Sequence, residues 1–298
     1  MSTILLKTII LLFIKIENEE ATLENEEIPP RNAGTEDMDS FILQLKSCNI
    51  HTMKAFDFSE EKYSLDETLI ITDCSTLARK YMKKGYPVIG YRHGFNIDDL
   101  FSKVTYVVEN LQEITADYFV NIFKRFKKLP WEILETRRCR VREITVDDTE
   151  ALYKIYKDPS ITLYMENLFG NPLEEKEYIK NYISSIYGFY GFGMWIIELK
   201  ETGEIIGRGG LEQKEDSKHL ELGYVIAKPY QRQGYGKEVC SAILQYGYES
   251  LGETIIEAIM EEENQASLAL CSSLGFQFHS KVIKDFKNYK RFTITILR

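Results

Sequence analysis

The chain is 298 residues long, enough for two domains of ordinary size. It is 44% hydrophobic and 28% charged, with only seven prolines and no long apolar run, which excludes collagen-like, low-complexity and multi-span membrane classes. A formal net charge of −9 excludes general nucleic-acid affinity, which needs a basic surface to displace counterions. The same charge suits a cationic partner such as an amine without selecting one.

The five cysteines (Cys48, Cys74, Cys139, Cys240, Cys271) are scattered and odd in number, and so are the four histidines. Cys48 and His51 lie three apart, but no second pair completes a zinc set, so no metal is expected. Free thiols and the lack of a cleavable leader point to a reducing cytoplasm. Ile4 to Ile16 is apolar, yet it falls short of the roughly 18–20 residues that span a bilayer, and Lys7 and Lys15 interrupt it. A short strand or docking segment is expected there, and no integral membrane association.

In chain order, residues 1–36 are an N-terminal segment ending in an acidic linker closed by Pro29-Pro30. A small α/β unit is expected over 37–134. Phe41, Ile42, Leu45 and Ile50 give a helical stripe, and Thr68 to Thr72 a buried strand. Asp73 and Ser75 are N-cap candidates for a helix through Leu77, Ala78 and Tyr81, which Gly85 stops. Pro87 to Tyr91 and Val104 to Val108 are further strands, and a helix from about Ala116 to Lys127 closes the unit. Strand–helix–strand with short helices argues for a parallel, Rossmann-like sheet. Ile70-Ile-Thr-Asp-Cys74 with Gly85-Tyr-Pro-Val-Ile-Gly90 resembles part of a haloacid-dehalogenase-like domain. That family's chemistry uses an aspartate pair ending an apolar first strand. Asp37-Met38-Asp39 has the spacing but follows a polar stretch, so it reads as a helix start and the unit as a non-catalytic remnant for docking, dimerisation or regulation.

Pro130 biases Leu129 out of the helical region and marks the next boundary. From 135 to 298 the pattern is strand, two helices, three strands, helix, strand, helix and two strands. Arg138 to Thr145 is the first strand, Asp147 or Asp148 caps a helix bearing Leu152, Ile155 and Tyr156, and Asn171 caps another with Pro172 at its first position. Phe192 to Leu199, Glu204 to Leu211 and His219 to Ile226, separated by turn residues, form an antiparallel meander.

The last of these strands runs into Gln231-Arg-Gln-Gly-Tyr-Gly236, and a helix with Val239, Ala242, Ile243 and Tyr246 on one face follows at once. Gly234 and Gly236 let the backbone approach a ligand, and free amides at the helix start form an anion site suited to a pyrophosphate. A dinucleotide fingerprint would need glycine at 239, which is Val239. A P-loop would need glycine at 231 and Ser or Thr at 238, which are Gln231 and Glu238. Neither motif fits.

The segment resembles the (Gln/Arg)-x-x-Gly-x-(Gly/Ala) loop of the GNAT superfamily of N-acetyltransferases. Asn264 to Phe276 is similar to that superfamily's last helix, Arg138 to Glu143 to its first strand, and Glu221-Leu-Gly-Tyr224 to the branch that acetylates N-termini of ribosomal proteins. The resemblance implies a GNAT fold, a mixed and mainly antiparallel central sheet flanked by helices, over 135–298. It implies acetyl-CoA as donor, held by Gln231, Arg232, Gln233, Gly234, Tyr235, Gly236 and Lys237 at the pyrophosphate. Tyr224, Val225, Ile226 and Asn264 would lie along the pantetheine, with an amide near Val225 or Ile226 polarising the thioester carbonyl. For the side chains of Arg232 and Lys237 a solvated surface is the alternative, and for Asn264 a plain helix cap.

Amine attack needs a proton acceptor. Glu221 is the first candidate, with Glu198 and Glu257 on flanking strands next; an ordinary charge-paired carboxylate is the alternative for each. At Cys271 the resemblance departs from pattern, since many members place there a tyrosine that protonates the leaving thiolate. Cys271 is either that acid or a buried small residue. Lys157 to Asn171, with Asp158, Tyr164, Glu166 and Phe169, would cover the acceptor, and Tyr187 to Phe192 would wall the same cleft. The expected function is acetyl transfer to a primary amine, with a protein N-terminus as one candidate acceptor; the alternatives are a polyamine or aminoglycoside acetyltransferase and a non-catalytic acyl-CoA sensor. A homodimer stays open.

Overall fold

The computed structural model describes residues 6–12, 35–54, 62–94, 96–215, 217–284 and 286–296. The chain divides into two compact units, Met1–Leu129 and Pro130–Arg298. The acidic run and the two prolines expected as a linker lie outside the described residues.

Unit 1 holds β1 (Thr8–Leu12), α1 (Thr35–Ser47), β2 (His51–Lys54), β3 (Thr68–Thr72), α2 (Ser75–Lys83), β4 (Val88–Tyr91), β5 (Tyr106–Val108) and α3 (Ala116–Phe126). The five strands make one parallel sheet in the order β2-β1-β3-β4-β5. Parallel sheets are covered on both faces, and accordingly every residue of β1 and of β3 is buried. The boundary expected at residue 36 therefore needs correction. β1, assigned to a separate N-terminal segment, is an interior strand of this sheet, drawn in by five consecutive apolar or β-branched side chains.

The capping of α2 also differs from expectation. Cys74 occupies the cap position and makes no side-chain bond, while the Ser75 N–H donates to the Asp99 carboxylate at 3.0 Å. Asp73 is instead wholly buried beside His93, 3.4 Å away.

Unit 2 begins with a strand not foreseen, β6 (Glu132–Glu135), antiparallel to β7 (Cys139–Arg142). After a 3-10 turn come α4 (Thr149–Tyr156) and α5 (Pro172–Tyr182), the latter capped by Asn171, which accepts from the Leu173 N–H. Then follow β8 (Met194–Leu199), β9 (Ile205–Gln213), β10 (Leu220–Ile226), α6 (Tyr235–Leu251), β11 (Ile255–Glu261), α7 (Gln265–Leu274), β12 (Gln277–Lys284) and β13 (Lys287–Thr295). They form an eight-stranded sheet in the order β12-β13-β11-β10-β9-β8-β7-β6, antiparallel throughout except for β10 with β11.

β9 shows the layering. A Cβ at Gly209 would meet Ile243 of α6 at 3.2 Å, whereas Glu212 accepts from the Tyr182 hydroxyl of α5. Since 209 and 212 differ by an odd step, α6 and α5 cover opposite faces. Trp195, Ile197 and Ile243 fill the α6 side without solvent exposure.

At Gly210 there is no room for a side chain: a Cβ there would stand 2.0 Å from the Gly193 carbonyl oxygen, a backbone atom that cannot rotate away. Gly210→Ala is expected to destabilise unit 2 by about 1–3 kcal/mol, the usual cost of forcing atoms into a packed site. A fall in the urea midpoint with the slope unchanged would show it.

Candidate active site

β10 and β11 are paired only at Leu220–Ile256 and Glu221–Glu257. Beyond Glu221, β10 stays with β9 to Ile226 while β11 stays with β13 to Glu261. The sheet therefore splits between them, and one edge of β10 has lost its neighbour. The bond from the Ala227 N–H to the Ile206 carbonyl, 2.8 Å, sets the antiparallel alternation. Gly223 and Val225 turn their backbone groups toward β9, and Tyr224 and Ile226 turn theirs into the split. Of the amides expected near a thioester, that of Val225 is thus committed to β9, and those of Tyr224 and Ile226 face the opening.

The loop after β10 leads to the wide end of the split. Gly234 is the N-cap of α6 with φ of 84°, and Arg232 is also left-handed at 58°. The first amides of a helix have no partner within it, and at seventeen residues α6 carries a full dipole behind them. Gln231 and Gln233 turn inward to the chain, donating to the Ile226 carbonyl at 2.9 Å and the Pro229 carbonyl at 2.6 Å. Arg232 and Lys237 are exposed; Tyr235 and Gly236 are half-buried. Gly236 faces Leu270 of α7, a Cβ there standing 3.4 Å from it.

Arg138, which sequence reasoning placed only in the first strand, reaches this loop. Its guanidinium donates to the Gln233 carbonyl at 3.1 Å and to Glu238 at 2.7 Å, and stacks on the Tyr235 ring at 3.9 Å. Burial raises the Glu238 carboxyl, but bonds from Thr136 and Arg138 outweigh it and leave the group below its usual range. One cation thereby ties the start of β7 to the loop and adds positive charge beside its amides.

On the α6–α7 side of the split, the Tyr224 hydroxyl donates to Ser267 Oγ at 3.0 Å, and Asn264 caps α7 by accepting from the Ser267 N–H at 3.1 Å. Asn264 is therefore a helix cap. Cys271 is enclosed at 1% exposure, and burial pushes its thiol up to about 12.

The other face of β10 carries Glu221, Gly223 and Val225. Glu221 lies opposite Glu212 of β9 and beside Glu257 of β11. Glu257 is buried against Arg291 at 3.4 Å. Glu198, two strands away, is bound at 2.7 Å by Arg142, which also grips Asp148; it belongs to an ion network and not to the split.

Above this face α5 runs on through a π turn, Ile183–Tyr187. The wide turn lets Tyr182 and Tyr187, five apart, both reach the sheet. Tyr182 accepts from the Met194 N–H at 2.7 Å and donates to Glu212 at 3.2 Å, while Tyr187 accepts from the Ile144 N–H at 3.2 Å and donates to the Met194 carbonyl. Of the covering segment, Tyr164 donates to the Glu263 carbonyl at 3.3 Å and Asp158 is occupied by Ser160, whereas Glu166 and Phe169 are exposed. In the aromatic run Tyr187 is buried, while Phe189 and Tyr190 are exposed. Among the described residues no group of three or more His, Cys, Asp or Glu side chains is placed to hold a metal, and no helix is long and apolar enough to cross a membrane.

A mixed sheet split between two parallel strands, with a glycine-started helix at its mouth, defines an acyl-CoA-using transferase fold. The acetyltransferase (GNAT) domain family model matches residues 138–277, all within unit 2. The uncharacterized N-acetyltransferase YoaA of Bacillus subtilis (strain 168) is 36% identical over 154 residues, 49% of this chain and 82% of that protein. Among solved structures, the ribosomal L7/L12 α-N-protein acetyltransferase RimL in complex with coenzyme A has a TM-score of 0.48 at 14% identity, covering 56% of this chain and 98% of its own. A spermidine N-acetyltransferase SpeG chimera from Vibrio cholerae and hSSAT has 0.46 at 18%, covering 53% and 95%. The chain belongs to the GNAT acetyltransferase family, whose members use acetyl-CoA.

Proposed function

We propose that unit 2 transfers the acetyl group of acetyl-CoA directly to a primary amine. The observation that carries this is the split after Glu221, with the amides of Tyr224 and Ile226 facing it and the amides of Arg232 to Gly236 at its mouth. The pyrophosphate would sit on the loop, with Arg138 adding charge, and the pantetheine would run along the open edge of β10. An amide of Tyr224 or Ile226 would then donate to the carbonyl oxygen as charge develops on it.

The amine approaches from the face that carries Glu221. Glu221 takes one proton from the ammonium, directly or through water, and passes it to solvent. The neutral nitrogen bonds to the carbonyl carbon, the C–S bond breaks as coenzyme A leaves as thiolate, and the nitrogen's second proton, carried by water, ends on that thiolate. Cys271 keeps its proton at neutral pH, but its enclosure supports a packing role over an acid role. Glu221→Gln is expected to lower kcat by about 100-fold, the low end for a general base, with coenzyme A affinity unchanged. Thiol release with a panel of amines measures it; full activity in the variant removes Glu221 from the chemistry. Tight coenzyme A binding without turnover of any amine would instead favour a sensor. Unit 1 is assigned to docking, dimerisation or regulation.

A further inference from the structure

Arg208 projects from β9 on the acceptor face, directly opposite Val225 and so level with the amides of Tyr224 and Ile226. It is the one arginine on this face without a carboxylate within ion-pair distance, among the described residues. Its Nε is sealed from water and donates to nothing. It hydrogen-bonds the hydroxyl of Tyr156, at the end of α4, and the phenols of Tyr187, Tyr182 and Tyr178 stand around it. Ile196 stands opposite it on β8.

A guanidinium carries five donors that a neutral phenol cannot satisfy, and a buried charge without a counter-ion is costly unless a partner completes it. Arg142, on the same face, shows what this chain does when an arginine has a structural role: it is bonded to both oxygens of Asp148 and to Glu198. Arg208 has no such set. Yet the residue is only half-buried.

Further along the same face stand Glu212 and Glu221, paired across β9 and β10; Lys214 holds Glu212 at 2.7 Å. A cation site and the Glu221 carboxylate therefore lie along one strip of sheet. We infer that Arg208 binds a carboxylate of the acetyl acceptor, so that the substrate is a small amine with its carboxylate close to the nitrogen, as in a free amino acid. The planar fork of the guanidinium matches a carboxylate with two parallel bonds, and Glu221 receives the ammonium before it is deprotonated. This rests on the acetyl transfer proposed above and narrows its acceptor.

The test uses the full chain with acetyl-CoA and matched acceptors: amino acids and their carboxamides bearing the same side chain. Release of free thiol gives kcat/KM for each. The wild type is expected to prefer the carboxylate by at least about 100-fold, because the carboxamide leaves the guanidinium unpaired. In Arg208→Gln the ratio of carboxylate to carboxamide is expected to fall to within severalfold of one, through KM more than kcat. Arg208→Lys is expected to keep an intermediate ratio. Carboxamides used as well as carboxylates by the wild type would overturn the inference while leaving the transferase reading standing. So would an unchanged ratio in a folded Arg208→Gln. The wild-type comparison needs no variant and decides the matter if the substitutions do not fold. Turnover of neither acceptor set, nor of any other amine, with coenzyme A still bound, would overturn the transferase reading and this one with it.

Discussion

Gly234→Glu is expected to abolish acetyl-CoA binding, raising Kd by at least about 100-fold, or about 2.7 kcal/mol. Two effects add. Gly234 has φ of 84°, and a side chain in the left-handed region costs about 1–2 kcal/mol. The larger effect is charge. The new carboxylate would sit at the start of α6, where the helix dipole and the unbonded amides attract anions, and would hold the position proposed for the pyrophosphate. A Cβ at 234 lies 3.5 Å from the Arg138 guanidinium, so the glutamate would also draw that cation from the loop. Gly234→Ala separates the effects: it brings the strain without the charge and should weaken binding by about tenfold or less. Titration calorimetry with coenzyme A measures both, and circular dichroism checks the fold. Wild-type affinity in Gly234→Glu would show that the phosphates lie elsewhere.

This loop was readable from sequence because everything that makes it is local. A glycine pair, a preceding strand and an amphipathic helix occupy consecutive residues, and the alternatives fail on single positions such as Val239. The same holds for Asn171 with Pro172, and for Asn264, whose cap bond reaches only to Ser267. What sequence reasoning missed depends on distance along the chain. Arg138 meets Gln233 across 95 positions, and no spacing signals that contact. Arg208 lies between Gly207 and Gly209, and nothing adjacent to it in sequence singles it out. Only the fold brings Tyr156, Tyr182 and Tyr187 around it, and only a π turn lets the last two share a face. β1 was assigned outside its sheet because its flanks are charged; its partners β2 and β3 lie far along the chain, and pairing with them is what buries it. Glu198 and Glu221 look alike in sequence, each a lone carboxylate within an otherwise largely apolar strand. The difference is that β8 runs beside Arg142 and β10 beside the split.

Arg142→Ala is expected to destabilise unit 2 by about 3–5 kcal/mol, the usual consequence of removing one member of a buried ion network. Arg142 lies on β7 with 15% of its side chain exposed; Asp148 and Glu198 are at 7% and 13%. Two parallel bonds of 2.8 Å join it to Asp148, one of 2.7 Å to Glu198, and one of 2.9 Å to the Glu143 carbonyl. Burial lowers the Arg142 pKa, but the Asp148 and Glu198 contacts outweigh it, so the guanidinium is held charged at any working pH. Without it, two carboxylates face each other out of water. Asp148 would keep only Thr145, whose N–H and hydroxyl reach it at 2.7 and 3.0 Å, so the start of α4 would loosen with it. The chain's two tryptophans, Trp131 and Trp195, both lie in unit 2, so tryptophan fluorescence in urea follows this unit without a contribution from unit 1. The expected result is a large drop in midpoint at constant slope. Neutralising the partners as well, in Arg142→Leu with Asp148→Asn and Glu198→Gln, is expected to recover much of the loss, because the cost lies in stranded charges more than in lost attraction. If the single variant unfolds like the wild type, the network is decoration on a fold held by its apolar core; if the triple variant is no better than the single one, the bonds of Arg142, and not its charge, are what hold β7, β8 and α4 together.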